Sequence, residues 1–131
     1  MTYACDTHAF VRWATRGRTL GRAAARIFRE AERRRAQIHL SSISLFEIAL
    51  LIERGRLRPA LDWNGWMAAL RSKPGLVVEP FTADDAIAAR ALAILADPFD
   101  RMIVATAIRL GVPLITADGD IGDADVVRVV W

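Results

Sequence analysis

The sequence predicts an α/β protein in which helices cover both faces of a central parallel sheet of about five strands, an α/β/α sandwich. Short apolar or β-branched stretches alternate with longer stretches of helical periodicity along the whole chain. Strands that alternate with helices form parallel sheets, because each crossover helix packs on one face of the sheet. The 131 residues, of which 53% are hydrophobic, fit a single domain over residues 1–131 with its own core.

Five stretches have the composition of strands, and helical spacing of apolar residues predicts six helices between them. The predicted strands are Met1–Cys5, Gln37–Ser41, Leu76–Pro80, Val112–Thr116 and Val126–Val130. The predicted helices are Thr7–Ala14, Leu20–Arg35, Ser44–Arg54, Trp63–Leu70, Ala83–Leu95 and Phe99–Leu110. Asp62, Thr82 and Asp97 are the expected N-caps of the last three helices.

Several classes of protein are excluded by composition. No apolar run approaches the roughly 20 residues that span a bilayer. The first residues lack the basic and apolar regions of a signal peptide, so a cytoplasmic location is expected. Cys5 is the single cysteine, which excludes an internal disulfide and a cysteine-based zinc site.

Positive charge is concentrated in the first part of the chain. The net charge is +3, but residues 1–35 contain nine arginines against three acids. This half suits a polyanion or an acidic partner peptide, and a solvated arginine-rich helix face explains it equally well. The arginines considered for RNA phosphates or for an acidic stretch of a partner are Arg12, Arg16, Arg18, Arg22 and Arg26.

Four acids lie at or near the junctions between the predicted strands and helices. Asp6 directly follows the first strand, and Asp118 follows the fourth. Glu47 lies one turn into the helix after the second strand, and Asp100 lies in the first turn of the helix that precedes the fourth strand. Ligands of open α/β sheets bind beyond the carboxyl ends of the strands. We therefore expect the four carboxylates to converge on one crevice.

Four carboxylates in one crevice need a cation, because like charges cannot all ionise in a dry site. A set of oxygen ligands selects a hard ion, Mg²⁺ or Mn²⁺. Such an ion orients a water, lowers its pKa and stabilises charge at phosphorus. The chemistry that this predicts is phosphodiester hydrolysis.

Each acid also has a structural interpretation. Asp6 is a possible cap of the first helix, and Glu47 stands three residues after Ser44, as in a capping box. Asp100 suits the positive end of a helix dipole, and Asp118 suits a turn. Two neighbouring acids were assigned outside the core set: Asp97 is the expected N-cap, and Asp120 is either an accessory ligand or a solvated residue.

Four segments that contain these acids follow one another in order along essentially the whole chain. They are Cys5–Phe10 (CDTHAF), Ser41–Ala49 (SSISLFEIA), Asp97–Ala107 (DPFDRMIVATA) and Leu114–Asp118 (LITAD). In these segments the sequence resembles the PIN-domain family, and within it the VapC-type toxins of bacterial toxin–antitoxin pairs.

The resemblance implies an endoribonuclease that depends on Mg²⁺ or Mn²⁺. Asp6, Glu47, Asp100 and Asp118 fall on the family's acidic positions, and we expect Asp6, Asp100 and Asp118 to be metal ligands. Thr116 falls on a hydroxyl position that holds water or phosphate. The resemblance also implies an RNA substrate, a small antitoxin that blocks the site, and a homodimer. Arg101, beside Asp100, either reaches the crevice or pairs with a nearby acid.

Alternatives remain at this stage. A non-catalytic module that binds RNA or protein would use the same acids only as helix caps. Trp63 and Trp66 lie three residues apart, so they stack on bases, belong to the core or line a groove for a partner. Trp13 suits a dimer or antitoxin interface. A doubly wound phosphatase is disfavoured because Asp6-Thr7-His8 lacks a second Asp, and a receiver domain is disfavoured because the only lysine is Lys73.

Overall fold

Five parallel strands form one sheet in the computed structural model of the protein, which describes residues 1–16, 20–57 and 62–131. The strands are β1 (Thr2–Cys5), β2 (Gln37–Ser41), β3 (Leu76–Glu79), β4 (Leu114–Ile115) and β5 (Val129–Val130). Their order is β3-β2-β1-β4-β5, and all four neighbouring pairs are parallel. The predicted sheet and its five strands are confirmed, although β4 and β5 are shorter than expected.

The centre of the sheet contains a reversal of strand order. The chain runs outward from β1 through β2 to β3, then returns to place β4 on the other side of β1. Side chains after β1 and β4 therefore border a crevice where consecutive connections leave on opposite sides. Asp6 follows β1, and Asp118 follows β4.

Helices cover both faces of the sheet. In the described residues they are α1 (Thr7–Thr15), α2 (Arg22–Glu32), α3 (Ser42–Glu53), α4 (Trp63–Ser72), α5 (Ala83–Arg90), α6 (Pro98–Leu110) and α7 (Gly119–Ala124). None of them is long and apolar enough to cross a membrane. Arg18, one of the arginines considered above, lies outside the described residues.

Two apolar clusters fill the space between these layers, one on each face. Cys5 and Ile115 belong to the cluster under α1 to α4, whereas Ala4 and Leu114 belong to the cluster under α5 to α7. Adjacent strand residues point to opposite faces, which explains why both residues of β4 are fully buried. This arrangement confirms the predicted α/β/α sandwich.

Several predicted helix boundaries were wrong. The second helix begins after Gly21, where a Cβ atom would meet the backbone carbon of Trp131 at 2.4 Å, and it ends before Arg34, whose φ is +60°. The fifth helix ends at Arg90, because the following turns bury Leu92 and Leu95 in the second cluster instead of continuing the helix.

The seventh helix, capped by Asp118, was not predicted. The expected caps Asp62, Thr82 and Asp97 all accept a backbone hydrogen bond and are confirmed.

The tryptophans are mostly structural. Trp66 is fully buried, which excludes base stacking by this residue, whereas Trp63 is 41% exposed.

Trp13 is buried within its own chain. It stacks on Phe28 with ring centroids 4.6 Å apart, and its indole nitrogen donates to Glu32. The predicted interface role of Trp13 is therefore wrong, because the side chain belongs to the core of its own chain.

Gly75 provides a test of how tightly β3 is connected to the rest of the sheet. Its φ is +74°, and an added Cβ would lie 2.6 Å from the carbonyl oxygen of Ala31 and 2.8 Å from that of Ala36. Gly55 has a similar φ of +66° but open space around it. We expect Gly75→Ala to lower the free energy of unfolding by about 3 kcal/mol, since it adds a steric clash to the left-handed strain.

The matched control is Gly55→Ala, which carries the left-handed strain alone and should cost about 1 kcal/mol. Urea unfolding followed by circular dichroism measures both variants. Equal losses for the two would show that the backbone around Gly75 yields easily and that the contact is unimportant.

Candidate active site

Asp6 connects the two central strands at their carboxyl ends. Its side chain is only 5% exposed. One carboxylate oxygen accepts the backbone N–H of Ala9 at 2.8 Å, so Asp6 is the N-cap of α1, and the other accepts the hydroxyl of Thr116. Burial raises the pKa of Asp6, and the charge of Asp118 adds to that effect, while the two hydrogen bonds oppose it.

Asp118 is fixed in a similar way at the end of β4. Its Oδ1 accepts the backbone N–H groups of Asp120 at 2.8 Å and Ile121 at 3.1 Å, which makes it the N-cap of α7. Its own N–H donates to the hydroxyl oxygen of Thr116 at 3.0 Å. The hydroxyl of Thr116 thus links Asp6 to Asp118, and its single proton is already donated to Asp6.

Glu47 is held by hydroxyl groups from α1 and α3. Thr7 Oγ1 lies 2.5 Å from Glu47 Oε1 and 2.8 Å from Ser44 Oγ. A hydroxyl has one proton, so Thr7 donates to Glu47 and accepts from Ser44. The predicted capping box of Ser44 and Glu47 is wrong, because Ser41 caps this helix and Ser44 is buried one turn further along.

Asp100 shows that the acids lie close together. Its pKa is raised to about 7, first by burial and then by the negative charges of the other acids. Those charges are Asp97, Asp118, Asp6 and Glu47. Glu47 is affected in the same way, since burial raises its pKa and the charges of Asp97 and Asp6 add to the shift. The four predicted acids therefore lie within electrostatic reach of one another, near the crevice where β1 and β4 end.

The crevice is not a preformed metal cage. In the described part of the chain, no three His, Cys, Asp or Glu side chains lie close enough to hold an ion as they stand. The donor chemistry nevertheless fits a hard cation, since the donors are carboxylate oxygens, and burial together with the negative charge of the other acids raises the pKa of Asp100. Mg²⁺ commonly takes only one or two protein carboxylates and completes its shell with waters and substrate phosphate oxygens.

Four residues at the site had not been selected from the sequence. Thr7 and Ser44 hold Glu47, as described above. Asp97 caps α6 and also raises the pKa of both Asp100 and Glu47, so it belongs to the crevice electrostatically. His8 is exposed between Asp6 and Glu47 and lowers the pKa of both. Its position inside the first motif is the signal that could have identified it.

Two residues that had been considered for the site lie at its margin. Arg101 donates from Nε to the carbonyl oxygen of Leu95 at 2.5 Å, which anchors it to the loop before α6. Asp120 is exposed and borders a separate cavity with Ile94 and Asp123.

Two cavities flank the acids. One, of about 300 Å³, lies between α1, α3 and the start of α6, and it is lined by Glu47 and Asp97 together with Arg54 and Arg56. The other, of about 200 Å³, is lined by Asp6 and Asp118 with residues of α1 and the end of the chain. The exposed His8 borders both cavities. The crevice therefore has room for a chain that passes over the acids from one side to the other.

A family model described as the PIN domain matches residues 3–127. The chain therefore belongs to the PIN-domain family. Ribonuclease VapC22 of Mycobacterium tuberculosis is 31% identical to it over 118 residues, which are 89% of this chain and 87% of that protein.

Solved structures share the fold at lower identity. VapC20 of Mycobacterium tuberculosis, described as a toxin that cleaves the sarcin–ricin loop, superposes with a TM-score of 0.67 at 23% identity, over 97% of this chain and 98% of that chain. A chain of VapBC2 from Rickettsia felis, solved with a DNA fragment from its promoter, gives a TM-score of 0.69 at 15% identity over 99% and 98% of the two chains.

The raised pKa of Asp100 predicts a pH dependence of stability. The folded protein retains this proton up to a pH of about 7, whereas an unfolded chain releases it near 3.8. The folded state therefore binds the additional proton between these values, and this contribution to stability is lost as the pH rises through that window. In EDTA, we expect Asp100→Asn to be more stable than the parent protein above the upper value and similar to it below the lower one.

Thermal melting across the pH range measures this difference. Asp84→Asn is the matched control, since Asp84 is an exposed acid in the first turn of α5. Parallel curves for Asp100→Asn and the parent would contradict the raised pKa of Asp100.

Proposed function

We propose that this protein is a divalent-metal-dependent endoribonuclease and that it acts as the toxin of a toxin–antitoxin pair. Asp6, Glu47, Asp100 and Asp118 are its catalytic acids, and Asp6, Asp100 and Asp118 are the residues that would hold the metal. The observation that carries the proposal is the pKa of Asp100, raised to about 7 by burial and by four neighbouring acids. Binding of a cation relieves the repulsion among these acids.

The relatives support the reaction and the substrate class. The similar protein from Mycobacterium tuberculosis is named a ribonuclease, and a structure of the same fold is named an RNA-loop-cleaving toxin. Other structures of this fold are toxin–antitoxin complexes. We therefore propose RNA as substrate, a small antitoxin as partner, a homodimer as the assembly and the cytoplasm as the location.

The cation is Mg²⁺ or Mn²⁺ in this proposal. When bound, it supplies an electrophile for the phosphodiester and lowers the pKa of a water. The acids differ in how they are prepared for it. Asp6 and Asp118 are locked by capping hydrogen bonds, and no described residue donates to Oδ2 of Asp118. Asp100 accepts no hydrogen bond from any described side chain or N–H group, so its carboxylate is available.

The remaining residues of the chain position the acids and move a proton. Glu47, whose pKa is raised by burial, orients the attacking water and accepts its proton. Thr7 fixes the rotamer of Glu47, and Thr116 fixes that of Asp6. Thr116 acts through Asp6 in this proposal. A contact of Thr116 or Arg101 with the substrate phosphate stays a prediction.

One observation favours a second candidate, a non-catalytic module that binds RNA or protein. Asp6 and Asp118 are complete N-caps, so both acids have a structural role without any metal. In that case, replacing Asp100, which caps no helix, should leave RNA binding unchanged, and EDTA should not alter that binding.

Asp100→Asn separates the two candidates. The substitution keeps the shape of the side chain and breaks no hydrogen bond among the described residues, so the fold should remain intact. We expect RNA cleavage to fall by more than about a hundredfold, because a ligand and its negative charge are both lost. Cleavage of labelled total RNA with Mg²⁺, Mn²⁺ or EDTA measures the effect. Asp84→Asn is the control, and undiminished cleavage by Asp100→Asn would contradict the four-acid site.

Thr116→Val tests whether the hydroxyl positions Asp6. Valine has nearly the same shape but cannot donate to Asp6 or accept from the N–H of Asp118. Losing such a supporting contact should weaken metal affinity about 10–100-fold. Cleavage measured over a Mg²⁺ series should therefore shift to higher concentration and recover at saturation. Loss of cleavage that excess Mg²⁺ does not restore would point to a direct role of the hydroxyl.

A further inference from the structure

The cavity next to Asp6 and Asp118 has a cationic and aromatic wall that the cleavage site does not use. Its volume is about 200 Å³, and Arg12 and Trp131 line it together with the two acids and His8. The guanidinium carbon of Arg12 lies 5.1 Å from the ring centroid of Trp131, a cation–π contact. We call Arg12 and Trp131 the Arg–Trp wall.

The charge of Arg12 is unpaired. Among the described residues it forms no ion pair, although Asp6 and Asp118 border the same cavity. By contrast, Arg109 is fully engaged by Asp85 and Glu79 on the other side of the sheet. An arginine that stays unpaired beside acids is poised for an anion that enters the cavity.

Trp131 has little freedom to move away from this arrangement. A Cβ atom on Gly21 would lie only 2.5 Å from Cδ1 of the Trp131 indole, so the ring rests directly on the backbone at the start of α2. Because the ring is supported on that side, it can hold the guanidinium of Arg12 in one place. Gly21 therefore contributes to the wall by lacking a side chain.

Arg12 also connects this cavity to a second basic surface. A groove of about 480 Å³ between α1 and α2 is lined by Arg12, Arg16 and Arg29 over an apolar floor. Arg16 is 82% exposed and lies 4.0 Å from Glu32, a weak surface pair. Positive side chains thus extend from the cavity beside the acids, through Arg12, into the groove between α1 and α2.

We propose that the Arg–Trp wall binds the nucleotide next to the scissile bond, with Arg12 on its phosphate and Trp131 holding Arg12 in position. This rests on the proposed function, because it places a neighbouring phosphate beside a cleaved one. A single RNA strand that presents a phosphodiester to the acids carries its next phosphate into one of the flanking cavities. The planar guanidinium and indole suit phosphate and base faces, and this favours RNA over an acidic segment of a protein.

Binding measured without cleavage tests the wall. The parent for this series is Asp100→Asn, and the probe is a short fluorescein-labelled single-stranded RNA of mixed sequence, followed by anisotropy over a salt series. Adding Arg12→Ala should weaken binding by about tenfold or more and reduce the salt slope by about 0.7, the value for one lost phosphate contact on a single strand. Arg12→Lys should keep the slope but lose affinity, since it cannot form a bidentate contact.

Arg90→Ala is the matched control. Arg90 is an exposed arginine at the end of α5, on the face of the sheet opposite to α1 and α2. It should bind the RNA as the parent does. Trp131→Leu should weaken RNA binding as much as Arg12→Ala does, whereas Trp131→Phe should retain most of the affinity. If Trp131→Leu fails to fold in a melting control, Trp131→Phe against Arg12→Ala still tests the pair.

Kinetics in the cleaving protein separate this proposal from the proposed function. Arg12→Ala should raise KM by about tenfold while changing kcat by less than about threefold, the pattern of lost uniform binding. Suppose that Asp100→Asn abolishes cleavage while Arg12→Ala alters neither KM nor the salt slope. That result would contradict RNA binding by the Arg–Trp wall and leave the proposed active site intact. If the protein cleaves no RNA with Mg²⁺ or Mn²⁺, the anisotropy series still tests whether the Arg–Trp wall binds RNA. Loss of binding to a polyglutamate peptide, with RNA binding unchanged, would overturn the wall in favour of a protein partner.

Discussion

The buried carboxylate of Asp6 is the constraint on which the rest of the structure depends. A nearly unexposed acid at the centre of the sheet is costly unless its oxygens are satisfied. Thr116 and the N–H of Ala9 provide those hydrogen bonds, so satisfying Asp6 simultaneously caps α1 and joins the end of β1 to the end of β4. The same contacts fix where the crevice opens, because β1 and β4 border the reversal of strand order.

Hydrogen bonds that cap helices also fix the orientation of two acids in the candidate site. Asp6 and Asp118 are helix caps, and their capping bonds leave each side chain in one orientation. Capping and metal binding are therefore compatible roles, since each oxygen of Asp6 accepts only one hydrogen bond and Oδ2 of Asp118 accepts none from the described residues. Asp100 differs because no described hydrogen bond supports its carboxylate, and its pKa is raised by burial and then by the negative charges of its neighbours.

A second polar cluster shows what a purely structural set of acids looks like in this fold. Asp85 is fully buried but accepts from Arg109 Nε at 2.6 Å, and Glu79 accepts from the same guanidinium at 3.0 Å. Burial alone would raise the pKa of Asp85, yet the hydrogen bonds from Arg109 and Thr82 lower it. The two acids paired with Arg109 have lowered pKa values, whereas Asp6, Glu47 and Asp100 have raised ones, a contrast that sets these three apart as candidates for a functional site.

The sequence by itself determined the sandwich, the five strands, the helix caps and the four acids, because periodicity, capping residues and motif spacing are local properties of the chain. It missed α7 and the early end of α5, since burial of Leu92 and Leu95 is decided by the second apolar cluster. Only the tertiary structure decided the strand order, the Thr7–Ser44 support of Glu47 and the contact of Arg12 with Trp131. These contacts join residues far apart in the chain, and no local pattern specifies which distant side chain will arrive.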